Sequence, residues 1–394
     1  MIGWERKKIL TFAGMKRFPV SLSTKLQSRT AANALRQLPD WKEGVDFSSN
    51  DYLGFARSES ISQKATALLA QSCHLYNGAT GSRLLSGNHV LYSETETRIA
   101  AFHQSESALI FNSGYDANLG FFSSVPQRND VVLFDELSHA SIRDGIRLSN
   151  ARSYKFLHND LEDLERQIKR FQNDQGVVYI VTETVFSMDG DSPDLEQMAA
   201  LSERYGCFLV VDEAHALGVF GDRGEGLIDA LALREVVFAR IMTYGKGLGC
   251  HGAAVLGNAK LKEYLVNFAR SFIYTTGLPP HAIATIHAGY MALEMEAKAR
   301  IRLKENIVHF NREKNLMGLK PLFIRSKSAI QSAVIPGNEK VKNIARQLEQ
   351  SGFDVRPIMA PTVPEGQERL RFCLHSYNTT TEISEVLCLL NRLL

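Results

Sequence analysis

Short, unbroken apolar runs punctuate the chain, and most of them end in a polar loop. Ala108-Leu-Ile-Phe-Asn112, Asp130-Val-Val-Leu-Phe-Asp135, Val177-Val-Tyr-Ile-Val-Thr182, Cys207-Phe-Leu-Val-Val-Asp212 and Ala239-Arg-Ile-Met-Thr243 each read as a buried strand, with Ala253-Ala-Val-Leu-Gly257 as one more. Helical stretches separate them. Strands apolar on both faces belong to a mostly parallel sheet with helices on either side, an α/β fold. In open sheets of this kind, ligands bind beyond the carboxyl ends of the strands. Those ends here carry Asn112-Ser113-Gly114-Tyr115, Asp135-Glu-Leu-Ser-His139, Glu183-Thr-Val-Phe-Ser187-Met-Asp-Gly190, Asp212-Glu-Ala-His215 and Thr243-Tyr-Gly-Lys246.

The rest of the chain has a different pattern. Residues 1–45 are basic and polar, with positive charge at Arg6, Lys7, Lys8, Lys16 and Arg17. Leu22, Leu26 and Leu35, with Ala31, Ala32 and Ala34, predict an amphipathic helix ending at Pro39. Beyond Pro279-Pro280, a helical stretch from His281 to about Met317 leads into a smaller α+β pattern. There Ala329–Ile335 and Arg369–Leu374 read as strands, and Lys340–Ser351 and Thr381–Leu394 as helices. The expected organisation is an N-terminal helical segment (1–48) packing with the small domain, a large domain (49–283) and a small C-terminal α+β domain (284–394). A chain of 394 residues has room for this, since domains run to about 150–250 residues.

Composition excludes several classes. A net charge of +2 supplies no field for nucleic acid or an acidic membrane surface. No run of 18 apolar residues exists to span a bilayer, and Ile9–Met15 is too short for a signal-peptide core. The five cysteines are scattered, with no Cys-x-x-Cys pair, which points to a reducing cytoplasm and no zinc site.

The loops carry the chemistry. Lys246 lies in a Gly-flanked turn after a strand, and Asp212 ends the most apolar strand in the chain. A lysine that forms a Schiff base must be available as a neutral amine, which desolvation favours. A carboxylate at the end of a buried strand needs a partner. Pyridoxal 5'-phosphate (PLP) answers both requirements, because it takes a lysine Schiff base and an anion beside its ring nitrogen. At ~3 Å and an effective dielectric of ~20, that ion pair attracts by roughly 5 kcal/mol before desolvation. Ser113, Gly114 and Tyr115 sit where a strand gives way to a helix, and the free N–H groups of a helix start bind phosphate. The Thr243 hydroxyl can add to the phosphate or the ring oxygen. His139 is placed to stack on the ring, and His215 to bond its phenolic oxygen. Each has a plainer alternative: Asp212 suits a helix N-cap, and either histidine suits a scaffold role. Asp-Glu-Ala-His also matches a helicase acidic box, but that requires a Gly-x-x-x-x-Gly-Lys-Ser/Thr loop, which this chain lacks.

As a set, these segments resemble the α-oxoamine synthase family of fold-type I PLP enzymes. The resemblance is carried in order by Asn50-Asp-Tyr-Leu-Gly54, Gly81-Ser-Arg-Leu-Leu-Ser-Gly87, Phe111–Tyr115, Asp135–Ser141, Thr182–Asp191, Val211–Gly218, Thr243–Gly247, Tyr274-Thr-Thr-Gly-Leu-Pro-Pro280 and Arg369-Leu-Arg371. It implies a homodimer with active sites at the subunit interface. It implies Lys246 as the Schiff-base lysine, Asp212 under the pyridine nitrogen and His139 stacked on the ring. Glu183, Ser187, His215 and Thr243 join the cofactor's surroundings, with Ser113, Gly114 and Tyr115 at its phosphate edge. Thr275 and Thr276 reach the phosphate of the neighbouring subunit, and Asn50 and Arg371 hold the substrate's carboxylate.

Members condense an amino acid with an acyl-CoA and release carbon dioxide. The N-terminal stretch Leu26–Arg36 resembles the same region of the members that take alanine with pimeloyl-CoA, and that resemblance implies a place for Arg36 near the acyl chain. Glycine with acetyl-CoA, glycine with succinyl-CoA and serine with palmitoyl-CoA are the alternatives. A catalytically silent partner subunit is a third, but it would need neither Lys246, Asp212 nor His139.

Overall fold

The computed structural model describes residues 18–36, 38, 44–295 and 297–394. Its largest sheet has seven strands: β2 (Ser107–Phe111), β3 (Val131–Asp135), β4 (Arg152–Phe156), β5 (Val178–Glu183), β6 (Phe208–Asp212), β7 (Val237–Thr243) and β8 (Ala253–Gly257). Their order across the sheet is β2-β8-β7-β6-β5-β3-β4. Every pairing is parallel except those of β8, which runs against both its neighbours. β2 and β5 are buried along their whole lengths, as unbroken apolar runs require. Helices cover both faces. The helix Leu195–Tyr205 shows how tightly the sequence sets its ends. Asp194 accepts from Gln197 N at the start, and Gly206 turns left-handed (φ 65°) at the finish.

Arg152–Phe156 was not among the predicted strands. It is the sheet's edge, so Arg-Ser-Tyr-Lys-Phe is mostly solvated and carries no apolar run.

A second sheet, β11-β12-β9, is antiparallel and built from β9 (Ile330–Val334), β11 (Arg356–Ile358) and β12 (Arg369–Cys373). The helices Asn338–Gln350 and Thr380–Leu393 lie beside it, the latter started by a Thr379/Glu382 capping box. A two-residue strand, β1 (Val45–Asp46), pairs in parallel with β10 (Phe353–Asp354). Just beyond β1, Phe47 O accepts from Cys373 N at 2.8 Å, which sets the Asn50 loop at the end of β12. The helical stretch expected over 281–317 is two helices, Pro280–Met295 and Ala297–Leu316.

The N-terminal helix is shorter than expected. It spans Val20–Ala31, and Asn33 takes a left-handed φ of 51° just beyond it. Asparagine tolerates that conformation at a helix end. Pro39 lies outside the described residues, as do the basic positions from Arg6 to Arg17.

Candidate active site

Adjacent parallel strands place two acids side by side, because Glu183 of β5 pairs in register with Asp212 of β6. Both are buried. Asp212 Oδ1 accepts from Ala214 N at 2.9 Å and Oδ2 from Asn118 Nδ2 at 2.8 Å. Glu183 Oε1 accepts the backbone N–H of His139. Burial, reinforced by the charge of Asp212, pushes the Glu183 carboxyl up to about 8. Glu183 thus positions the His139 loop.

Lys246 arrives from the one antiparallel connection at this edge, the turn between β7 and β8. Tyr244 N bonds Gly252 O at 2.9 Å and Cys250 N bonds Tyr244 O at 2.8 Å, so both ends of the turn are pinned. Gly247 is obligatory, because a Cβ there would come within 2.2 Å of Leu217 O, in the loop that follows Asp212. Lys246 Nζ lies 2.6 Å from His215 Nε2, and His215 Nδ1 lies 2.6 Å from the Tyr52 hydroxyl. Burial lowers the Lys246 amine to about 8, although Asp212 and Glu183 pull the other way. At pH 7 that leaves roughly a tenth of it neutral, far more than an ordinary lysine offers. Burial, then the charges of Lys246 and Arg371, hold His215 well below 6.5. It is a neutral hydrogen-bonding group. His139 is also lowered, by burial against the opposing pull of Asp212.

The loops after β2 and β7 meet at one corner of the site. Ser113 caps the helix Gly114–Ser124, accepting from Asp116 N. Gly114 is pressed against Thr243, where a Cβ would sit 2.3 Å from Oγ1. Only glycine lets these two loops meet, and their meeting sets a hydroxyl beside a helix start. Next to it, Asn112 Nδ2 donates to Thr275 Oγ1 at 3.1 Å and Thr276 O at 2.7 Å. Tyr115 is exposed, its hydroxyl donating to Asp144 at 2.5 Å.

On the opposite side, Arg371 Nη2 donates to Asn50 Oδ1 at 2.8 Å, and the Tyr52 hydroxyl donates to the same oxygen at 3.1 Å. Arg371 Nε is buried without a hydrogen-bond partner among the described residues. Asn50, Arg371, Tyr52, His215 and Lys246 therefore form one connected line. Arg36 and Ser187 lie outside this line. Arg36 is exposed and donates to Thr362 Oγ1 at 3.2 Å. Ser187 is half-buried in the turn closed by Gly190 N to Phe186 O.

Several working residues escaped the sequence reading. Tyr52, Asn118 and Ser141 are hydrogen-bonding links that no spacing rule singles out. Glu213, next in sequence to Asp212, forms a buried ion pair with Arg240, extended by Asp229 at 2.6 Å from Arg240. His158 sits between Asp135 and Asp191, with contacts of 2.9 and 2.8 Å. Burial alone would lower this imidazole, but bonds to the two carboxylates lift it from 6.5 to about 10. A raised histidine pKa stabilises fully below pH 6.5 and loses its contribution as pH rises through about 10. The melting-temperature gap between wild type and His158→Gln should therefore be widest near pH 6 and shrink steadily toward pH 10. A gap constant over that range would remove the imidazolium clamp.

The sequence family described as aminotransferase class I and II matches residues 42–387. An 8-amino-7-oxononanoate synthase from Emericella nidulans is 40% identical over 366 residues, covering 87% of each chain. The chain belongs to the class I and II aminotransferases and, within them, to the α-oxoamine synthases. Two solved structures agree. A serine palmitoyltransferase from S. paucimobilis, with PLP and myriocin bound, overlays with a TM-score of 0.85 at 27% identity, covering 95% of this chain and 96% of that one. The 8-amino-7-oxononanoate synthase of Francisella tularensis overlays at 0.74 with 29% identity, covering 89% and 97%. As an α-oxoamine synthase, the chain is a PLP-dependent acyltransferase of fold-type I. Its residues fit that cofactor: a depressed lysine amine, a doubly hydrogen-bonded carboxylate, and a glycine-lined helix start beside a threonine hydroxyl.

Proposed function

We propose that the chain condenses L-alanine with pimeloyl-CoA, giving 8-amino-7-oxononanoate, CoA and carbon dioxide, as in biotin biosynthesis. The observation that carries the chemistry is the line from Arg371 and Asn50 through Tyr52 and His215 to Lys246. It sets a fork for a carboxylate beside an amine that can move a proton. The relatives at about 40% identity support the substrate pair.

PLP, when bound, supplies a conjugated ring that accepts the electron pair left at the amino acid's Cα. Asp212 would lie beside the ring nitrogen and favour its protonated form. His139 would pack on the ring face. Ser113, Gly114, Tyr115 and Thr243 would hold the phosphate edge, while Glu183, Ser187 and His215 would line the phenolic side. Arg371, with Asn50, fixes the substrate carboxylate and so orients the Cα–H bond. Lys246 takes the Cα proton as general base and returns a proton to the product.

The working unit in this reading is a cytoplasmic homodimer, with Thr275 and Thr276 of one subunit reaching the other's phosphate. Among the described residues no helix is long and apolar enough to cross a membrane, and no cluster suits a metal. A groove of about 1170 Å³ runs between the N-terminal helix and the Ala360-Pro361 turn, lined by Leu22, Leu26 and Ala34. It offers apolar surface two residues from Arg36.

The test is release of CoA thiol by the PLP-loaded enzyme from a grid of alanine, glycine and serine against pimeloyl-, acetyl-, succinyl- and palmitoyl-CoA. Turnover confined to alanine with pimeloyl-CoA supports the reading, and Arg36→Ala should then raise the KM for the acyl donor alone. The higher structural overlay with serine palmitoyltransferase favours one second reading, serine with palmitoyl-CoA, and turnover there would replace the first. Arg371→Lys should raise the KM for the amino acid by roughly a hundredfold, because an ammonium cannot form the bidentate pair. An unchanged KM would take the carboxylate away from Arg371.

A further inference from the structure

Behind Asp212 and His139 runs a chain of buried groups that the reaction above does not assign. Asn118, in the helix Gly114–Ser124, is 1% exposed. Its Nδ2 donates to Asp212 Oδ2 at 2.8 Å and to Ser141 Oγ at 3.0 Å. One amide nitrogen carries two protons, so a single group meets both acceptors. The flipped amide would set its oxygen against a carboxylate oxygen, which settles the orientation. Asn118 Oδ1 is left buried without a partner among the described residues. That exposed cost shows how strongly the two donated bonds fix the side chain.

Ser141 passes the constraint on. Its Oγ accepts from Asn118, so its own proton is free for His139 Nδ1, 2.7 Å away. The backbone N–H of Ser141 also donates to Nδ1, at 3.3 Å. Nδ1 is therefore an acceptor, and the proton of the neutral ring sits on Nε2. The charges facing His139 are Asp212, Lys246, Arg143 and Asp144. None of them donates to or accepts from Nδ1.

We propose that Asn118 and Ser141 are positioning residues that tie Asp212 to His139, one amide aiming the carboxylate while the serine hydroxyl locks the histidine as its Nε2–H tautomer. The link makes the group under the ring and the group above it respond as one. This inference rests on the assignment of Asp212 and His139 to the two sides of PLP.

Three measurements on Asn118→Leu, Ser141→Ala and Ser141→Thr test it: PLP affinity, the pH midpoint of the bound PLP absorbance, and the ¹⁵N shifts of His139. The His139 signal is assigned with His139→Gln. Asn118→Leu should weaken PLP binding by roughly tenfold or more and move the midpoint, since it strips a donor from a charged acceptor. Ser141→Ala should leave affinity near wild type yet mix the two His139 tautomers, and Ser141→Thr, which keeps the hydroxyl, should restore the single one. If Asn118→Leu does not fold, the serine pair decides. Folded variants with wild-type affinity, midpoint and His139 shifts would overturn the relay. Wild-type protein that binds no PLP at all would instead overturn the proposed function, so the two failures are separable.

Discussion

Lys246→Ala should cut thiol release by about 10⁴-fold, the upper end of what a positioned general base contributes. It should also abolish the absorbance band of lysine-linked PLP while leaving the cofactor bound through Asp212 and the helix start at Gly114. The fold should survive, because the β7–β8 turn is held by backbone bonds at Tyr244, Gly249, Cys250 and Gly252 rather than by the lysine. Spectra and stopped-time thiol assays on the purified variant check this. Added methylamine should recover part of the rate, since the amine sits in a site still shaped for it. A variant with the wild-type band would move the Schiff base to another lysine and undo the central assignment.

Asp212→Ala is expected to cost on the order of 10³-fold in kcat with little change in KM for either substrate. The carboxylate acts on the reacting state, when negative charge flows into the ring, and touches neither substrate's recognition groups. Its loss also strands Asn118 Nδ2 and Ala214 N, two buried donors left facing a void. A drop in melting temperature of several degrees should accompany the loss of rate. A purely structural role would show that drop with kcat intact, and this outcome would refute the catalytic one. The comparison needs saturating PLP, since weaker cofactor binding would otherwise pass for slower chemistry.

Much of this site was legible in the sequence because sheets sort residues by position. Unbroken apolar runs announced the strands, and their ends had to lie along one edge, so Asp135, Glu183, Asp212 and Thr243 fell into place together. Lys246 followed from the same rule. The edge strand Arg152–Phe156 was invisible because solvation removed its apolar signature. Tyr52, Asn118 and Ser141 stayed hidden for a different reason. Their roles depend on which way a side chain leaves a helix or loop in three dimensions, and a tyrosine or asparagine at such a position reads as ordinary. His158 was missed likewise, since two distant carboxylates give a lone histidine its character. Arg36 shows the converse. The sequence marked it, and the fold sets it against Thr362, outside the line that joins Arg371 to Lys246.

The reversed direction of β8 reaches beyond topology. A parallel neighbour would have to be entered through a crossover helix, whose loops vary freely in length. Here the chain doubles back between Tyr244 and Gly252, with both legs in the sheet's ladder. The lysine thus hangs from a hairpin whose span is counted residue by residue. A residue added or removed between Thr243 and Lys246 would shift the amine from its place beside His215. This segment can drift neither in length nor in register, and any descendant of the chain that keeps the chemistry inherits the count.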